Sequence, residues 1–231
     1  MLVFSRFIKV FALFLVGVLA FGIGLAAGYI VLNPTVDTSG AQTIPQASLV
    51  EKNKATEFRL KLQQLQQEHI HLLSDMLQAN YNRSSDLGAA SVNLNANVQE
   101  IGELLGIYYG EKTKDAYIDL QETYIISFTN YGTALKAGNK TGMDTSLNEL
   151  ITYTESQAAL LNQANPSLPK DGITQLTTDT VMLMKASIDA YASREYPLAY
   201  TKQRQAYAQS GFLADAHATA IIKEFPEQFE K

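Results

Sequence analysis

From about residue 48 onward, apolar side chains recur every three or four residues, the spacing that gives a helix one buried face. Phe58, Leu62, Leu65, His69, Leu72 and Met76 step by 4-3-4-3-4 and predict a first helix over about Ser48–Asn80. Val98, Ile101, Leu104, Leu105 and Tyr108 predict a second over about Ala89–Tyr109, stopped by Gly110. Tyr117, Leu120, Tyr124, Phe128, Tyr131 and Leu135 predict a third over about Lys112–Ala137, closed by Gly138-Asn139. A fourth covers about Thr141–Gln163 and breaks at Asn165-Pro166. A fifth covers about Asp171–Ser193, and a sixth runs over about Tyr196–Glu224 and stops at Pro226. No run alternates apolar and polar residues at the two-residue period of a strand. The connections are short, so successive helices should lie antiparallel as neighbours. The expected fold is all-α, an antiparallel six-helix bundle built from three helical hairpins.

The hairpins read as a degenerate repeat. Leu65-x-x-x-His69-Ile70, Leu120-x-x-x-Tyr124-Ile125 and Leu176-x-x-x-Thr180-Val181 align at offsets of 55 and 56 residues. His69, Tyr124 and Thr180 each interrupt an apolar stripe. They should therefore point into the bundle at similar depth.

The pattern before residue 48 is different. Arg6 and Lys9 precede an uncharged apolar run from Val10 to Leu32, and the next charge is Asp37. At about 1.5 Å per residue this run spans roughly 34 Å, enough for a hydrocarbon core of about 30 Å. The positive flank puts the N-terminus in the cytoplasm. Residues 1–9 then form a short cytoplasmic segment and 10–32 a transmembrane signal-anchor helix. Residues 33–47 form a linker marked by Asn33-Pro34, Ser39-Gly40 and Pro45, and 48–231 an extracytoplasmic helical domain. A cleaved signal peptide is the rival reading, with Gly24-Leu25-Ala26 as its small-x-small triplet, and would make the domain secreted. The apolar run continues past that triplet through Leu32. Ala20, Gly24 and Gly28, with Gly22 and Ala26 beside them, have the small-residue spacing of self-associating membrane helices.

Charge and composition narrow the function. The 231 residues carry a net charge of −5, and Arg6 and Lys9 lie before the exported part, which therefore carries −7. Such a surface does not suit nucleic acid or a broad patch for anionic lipid. There is no cysteine, so disulfides, thiolate chemistry and cysteine-ligated metals are excluded. The nine residues expected inside the cell hold no output domain, so any signal would need a partner.

The candidate chemistry centres on Glu68-His69, the one place where an acid adjoins an inward histidine. Asn97 and Glu100 are three apart and share a helix face. Asp179 precedes Thr180 as Glu68 precedes His69. A site drawn from Glu68, His69, Asn97, Glu100, Tyr124 and Asp179 would suit a hard or borderline divalent ion, or a small polar molecule. The competing reading makes His69 a hydrogen-bonded core residue. His69 and His71 face about 200° apart on a helix and cannot chelate together. Glu68-x-x-His71 is a single E-x-x-H where a di-iron site needs two. H-E-x-x-H, G-x-S-x-G and phosphate-loop motifs are absent. Tyr108-Tyr109-Gly110 is a second place where aromatic groups could line a pocket.

The chain from about Leu62 to Pro226 also resembles an uncharacterised family of bacterial helical-bundle proteins, many of them secreted. The matching residues are Glu68-His69-Ile70, Asn97 with Glu100-Ile101-Gly102, and Tyr108-Tyr109-Gly110. They continue with Lys136-Ala137-Gly138-Asn139, Asn165-Pro166, Val181 to Lys185, and Ile221-Ile222-Lys223-Glu224-Phe225-Pro226. The resemblance implies an exported helical bundle with three inward histidines. Here Tyr124 and Thr180 stand where the second and third would fall, Glu100 replaces an aspartate, and Gln66 replaces a tryptophan. If those histidines hold a metal in the family, this chain keeps one and its site is lost or repurposed. Together these readings predict a membrane-anchored, non-enzymatic module with a binding or structural role in the envelope. It should need no cofactor, and its partner should be an envelope protein or a second copy. The alternative is a metal- or ligand-binding protein, or an enzyme, using Glu68, His69, Asn97 and Glu100.

Overall fold

The computed structural model describes residues 53–230, which lie within one compact unit, Val50–Lys231. The expected cytoplasmic segment, anchor helix and linker fall outside the described residues. Those described are all-α, with no strand among them. The helices are α1 (Lys54–Asn82), α2 (Leu87–Tyr109), α3 (Glu111–Ala137), α4 (Lys140–Ala164), α5 (Lys170–Ala192), α6 (Tyr196–Glu224) and a single turn, α7 (Pro226–Phe229). Among the described residues, no helix is long and apolar enough to cross a membrane.

The boundaries follow from local chemistry. Asn53 caps α1, its side chain accepting from the backbone N–H groups of Ala55 and Thr56. Arg83 ends α1 in the left-handed region at φ 55° and donates its N–H to the last turn. At Gly138 a φ of 66° closes α3, and Asn139 then caps α4 by accepting from the Gly142 N–H at 3.1 Å. Pro226, expected as a stop, also opens α7, because a proline at the first helical position forfeits no hydrogen bond.

Each helix packs against the next, and α1 also packs on α6, α3 and α5. Helices α3 and α5 touch as well, so α1, α3 and α5 are in mutual contact while α2, α4 and α6 each pack against two of them. The buried apolar side chains fall into three clusters. The first is built around Leu73, Met76, Phe128, Leu150 and Met184. The second is built around Leu62, Leu65, Ile101, Leu105 and Tyr117, and the third around Leu161, Leu168, Ile173 and Leu213. Close approach of α2 to α3 depends on Gly102, where a Cβ would lie 2.9 Å from Ile118 Cγ1.

Candidate functional site

The three apolar clusters meet at a small polar cavity. Its wall takes Ile70, Tyr124, Tyr153 and Val181 from the first cluster, Tyr117 from the second and Leu213 from the third. Between these sit Gln66, His69, Gln121, Gln157, Thr177, Thr180 and Ser210, every one of them buried. His69, Tyr124 and Thr180, aligned by the sequence repeat, thus line one space. The cavity leaves about 30 Å³ for the centre of a water-sized sphere.

His69 is held by Asn97. The imidazole Nδ1 lies 3.0 Å from Asn97 Oδ1, and Asn97 Nδ2 donates to the Leu65 carbonyl at 3.0 Å. That second bond orients the amide, so Oδ1 accepts and His69 Nδ1 carries the proton. Nε2 is then a lone pair, buried and without a partner. Burial lowers the His69 pKa to about 4, against a smaller opposing effect from the Asn97 bond. The ring is neutral at physiological pH.

Tyr124 stacks on His69 with ring centroids 6.0 Å apart and on Tyr153 at 4.4 Å. Gln121 donates to the Tyr153 hydroxyl at 2.8 Å. Burial raises the pKa values of Tyr117, Tyr124 and Tyr153 far above the ordinary phenol value, so all three stay protonated. Gln66 lies near enough to Tyr117 to oppose that shift in part, although its Nε2 is not within a hydrogen bond. Gln121 Oε1, Gln157 Oε1 and Thr177 Oγ1 are likewise buried and unpartnered.

The six residues singled out in the sequence separate. His69, Asn97 and Tyr124 come together. Glu68 is exposed at the edge, 3.5 Å from Asn97 Nδ2. Glu100 points outward and pairs with Lys61 at 3.2 Å. Asp179 lies half-buried on α5, accepting from Gln175 at 2.8 Å and Gln209 at 3.4 Å. Among the described residues, no group of three or more His, Cys, Asp or Glu side chains is placed to hold a metal ion. Tyr109, from the second aromatic candidate, accepts from Asn165 at 3.0 Å and so braces the Asn165-Pro166 break. Gln66, Gln121, Gln157 and Thr177 were missed from the sequence. A signal for three of them was present, because residues 66, 121 and 177 obey the same 55- and 56-residue offsets as 69, 124 and 180.

A larger concavity runs outside, along the α1–α6 seam. It consists of two adjoining depressions of about 590 and 300 Å³ that share His71 and Tyr207. Gln63, Gln64 and Gln67 line it from α1, and Tyr200, Gln203 and Arg204 from α6. Tyr200 and Tyr207 are 57% and 44% exposed. Gly211 lies against this seam, where a Cβ would stand 3.0 Å from Gln67 Nε2. No family model, curated protein or solved structure matches the chain.

Proposed function

We propose that the protein is a non-enzymatic, membrane-tethered module that holds a hydroxyl-rich glycan strand of the cell envelope along its α1–α6 seam. The tether is the apolar run of residues 10–32, with 33–47 as linker and the helical domain outside the membrane. Within that domain the helices pair as three hairpins, α1–α2, α3–α4 and α5–α6. The mutual contacts of α1, α3 and α5 and the 55- and 56-residue offsets support that pairing.

The observation that carries the reading is the composition of the seam. The central cavity has room for little more than water, so a ligand of any size must bind outside. The seam combines two exposed tyrosine rings with four uncharged amides, from Gln63, Gln64, Gln67 and Gln203. Amides both donate and accept, as sugar hydroxyls do. Phenol rings offer flat apolar faces to the C–H side of a pyranose while keeping a polar tip. One arginine, one histidine and one glutamate at the edge leave the seam with little net field, which suits a neutral chain better than a charged one.

The test is sedimentation of the full chain, in detergent, with insoluble envelope glycan. Wild type should pellet with the glycan. The Tyr200→Ala/Tyr207→Ala double variant should bind at least tenfold more weakly with its far-UV circular dichroism unchanged. Absence of binding by wild type, or equal binding by both, would reject the reading.

A further inference from the structure

We propose that the cavity where the three apolar clusters meet is an internal hydration site holding one or two water molecules shared by α1, α3, α4 and α5. Five buried side-chain atoms of its lining residues have no hydrogen-bond partner: Gln66 Nε2, His69 Nε2, Gln121 Oε1, Gln157 Oε1 and Thr177 Oγ1. Buried polar atoms are almost always hydrogen-bonded, so five exceptions around one space mark an occupant rather than five separate defects.

The size and the chemistry of the wall select that occupant. A water sphere itself occupies about 10–15 Å³, and about 30 Å³ is open to the centre of such a sphere, so the space admits water. The orphan atoms comprise three acceptors (His69 Nε2 and the two glutamine oxygens), one donor (Gln66 Nε2) and one hydroxyl that can do either. Water, with two donors and two acceptors, answers that mixture. A metal or ammonium ion would face the Gln66 N–H groups and find no carboxylate, since Glu68, Glu100 and Asp179 do not line the space. An anion would face three lone pairs, and an apolar occupant would leave all five atoms unmet.

The site has a structural consequence that apolar packing alone lacks. Gln66, Gln121 and Thr177 occupy equivalent positions on α1, α3 and α5, and Gln157 adds α4. A one-turn slip of any of these helices would carry its polar atom away from the shared water and into an apolar cluster. The hydrated cluster therefore fixes the mutual register of helices whose leucine-rich stripes would otherwise tolerate several.

The experiment reads bound water directly on the full chain in detergent. Deuterium and oxygen-17 magnetic relaxation dispersion of the solvent counts water molecules with long residence. Wild type should show one or two more than a Gln121→Leu/Gln157→Leu double variant, which fills the space with apolar atoms. Should that variant fail to fold, wild type alone decides through cross-relaxation between a slowly exchanging water and the ring protons of His69 and Tyr124. A dry cavity, seen as no such cross-relaxation or as no difference in the count, overturns the proposal. So does thermal stabilisation by ammonium chloride beyond that of sodium chloride at equal ionic strength, which would identify a cation instead.

Discussion

His69 and His217 are both buried, and they differ in how they are held. His69 donates through Nδ1 to Asn97 and keeps Nε2 for the cavity. His217, on α6, has neither ring nitrogen partnered. Burial lowers both pKa values from 6.5 to about 4. As the pH falls below 6.5, the unfolded chain takes up protons at these positions before the folded one does. Stability is therefore lost progressively from about pH 6.5 and levels off below about pH 4. At about 1.4 kcal/mol per pKa unit, each histidine removes about 3 kcal/mol at the acid limit and about 2 kcal/mol by pH 5. The urea midpoint should fall clearly between pH 7 and pH 5, and His217→Leu should cut that fall by about half. A midpoint independent of pH in wild type would show that these rings are not held neutral. A second residue-level expectation concerns the His69 anchor. Asn97→Leu should leave Nδ1 without its acceptor and cost about 1–3 kcal/mol, whereas Glu100→Gln, which loses only an exposed ion pair, should cost less than about 1 kcal/mol. Comparable losses from the two in urea titrations would contradict the separation of Glu100 from the site.

Helix boundaries were largely legible, because each is set by residues adjacent in sequence. Gly110, Gly138-Asn139, Asn165-Pro166 and Pro226 interrupt the chain where the pattern places breaks. The additional turn α7 escaped notice because Pro226 was read only as a terminator, although the same ring geometry that stops one helix can start the next. The site was less legible for a different reason. Periodicity reports which face a residue occupies but not which helices face each other, so Glu100 and Asp179 were grouped with His69 by their neighbours in sequence. Gln66 entered only as the replacement of a tryptophan, because its place beside the apolar stripe gives no sign of burial. Its burial follows from the contacts of α1 with α3, α5 and α6 as well as α2, which leave that helix little open surface at this level. Helix-level packing also gives a test. Gly102→Ala would bring a Cβ to 2.9 Å from Ile118 and should destabilise by about 1–3 kcal/mol, since α2 and α3 would have to separate or Ile118 change rotamer. Gly88→Ala, where a Cβ meets nothing within 4 Å, should instead be neutral or stabilising, and thermal unfolding of the pair separates the two cases.

At the scale of the whole molecule, three apolar clusters raise the question of whether the domain unfolds in parts. Each cluster draws on several helices. Helix α1 contributes Phe58, Leu62 and Leu65 to the second and Leu73, Met76 and Leu77 to the first, and α6 contributes Ala206 to the first, Ala214 to the second and Leu213 to the third. No cluster can therefore dissolve without exposing the flank of its neighbours, and the polar cavity at their junction is satisfied only while all the surrounding helices are in place. Unfolding should be a single cooperative transition despite the divided core. The chain has twelve tyrosines and no tryptophan, and Tyr117, Tyr124, Tyr131 and Tyr153 are buried, so the change in tyrosine emission on unfolding reports on the aromatic interior while far-UV circular dichroism reports on helix content. The two urea curves should coincide. Amide exchange should agree, with Leu65–Leu77 of α1 opening only through global unfolding and the single turn Pro226–Phe229, which packs on α6 and the Phe58–Tyr108 edge, opening by itself. A tyrosine transition that precedes loss of helix would mean that the clusters melt separately. The cavity would then be a boundary between subdomains instead of the point that joins them.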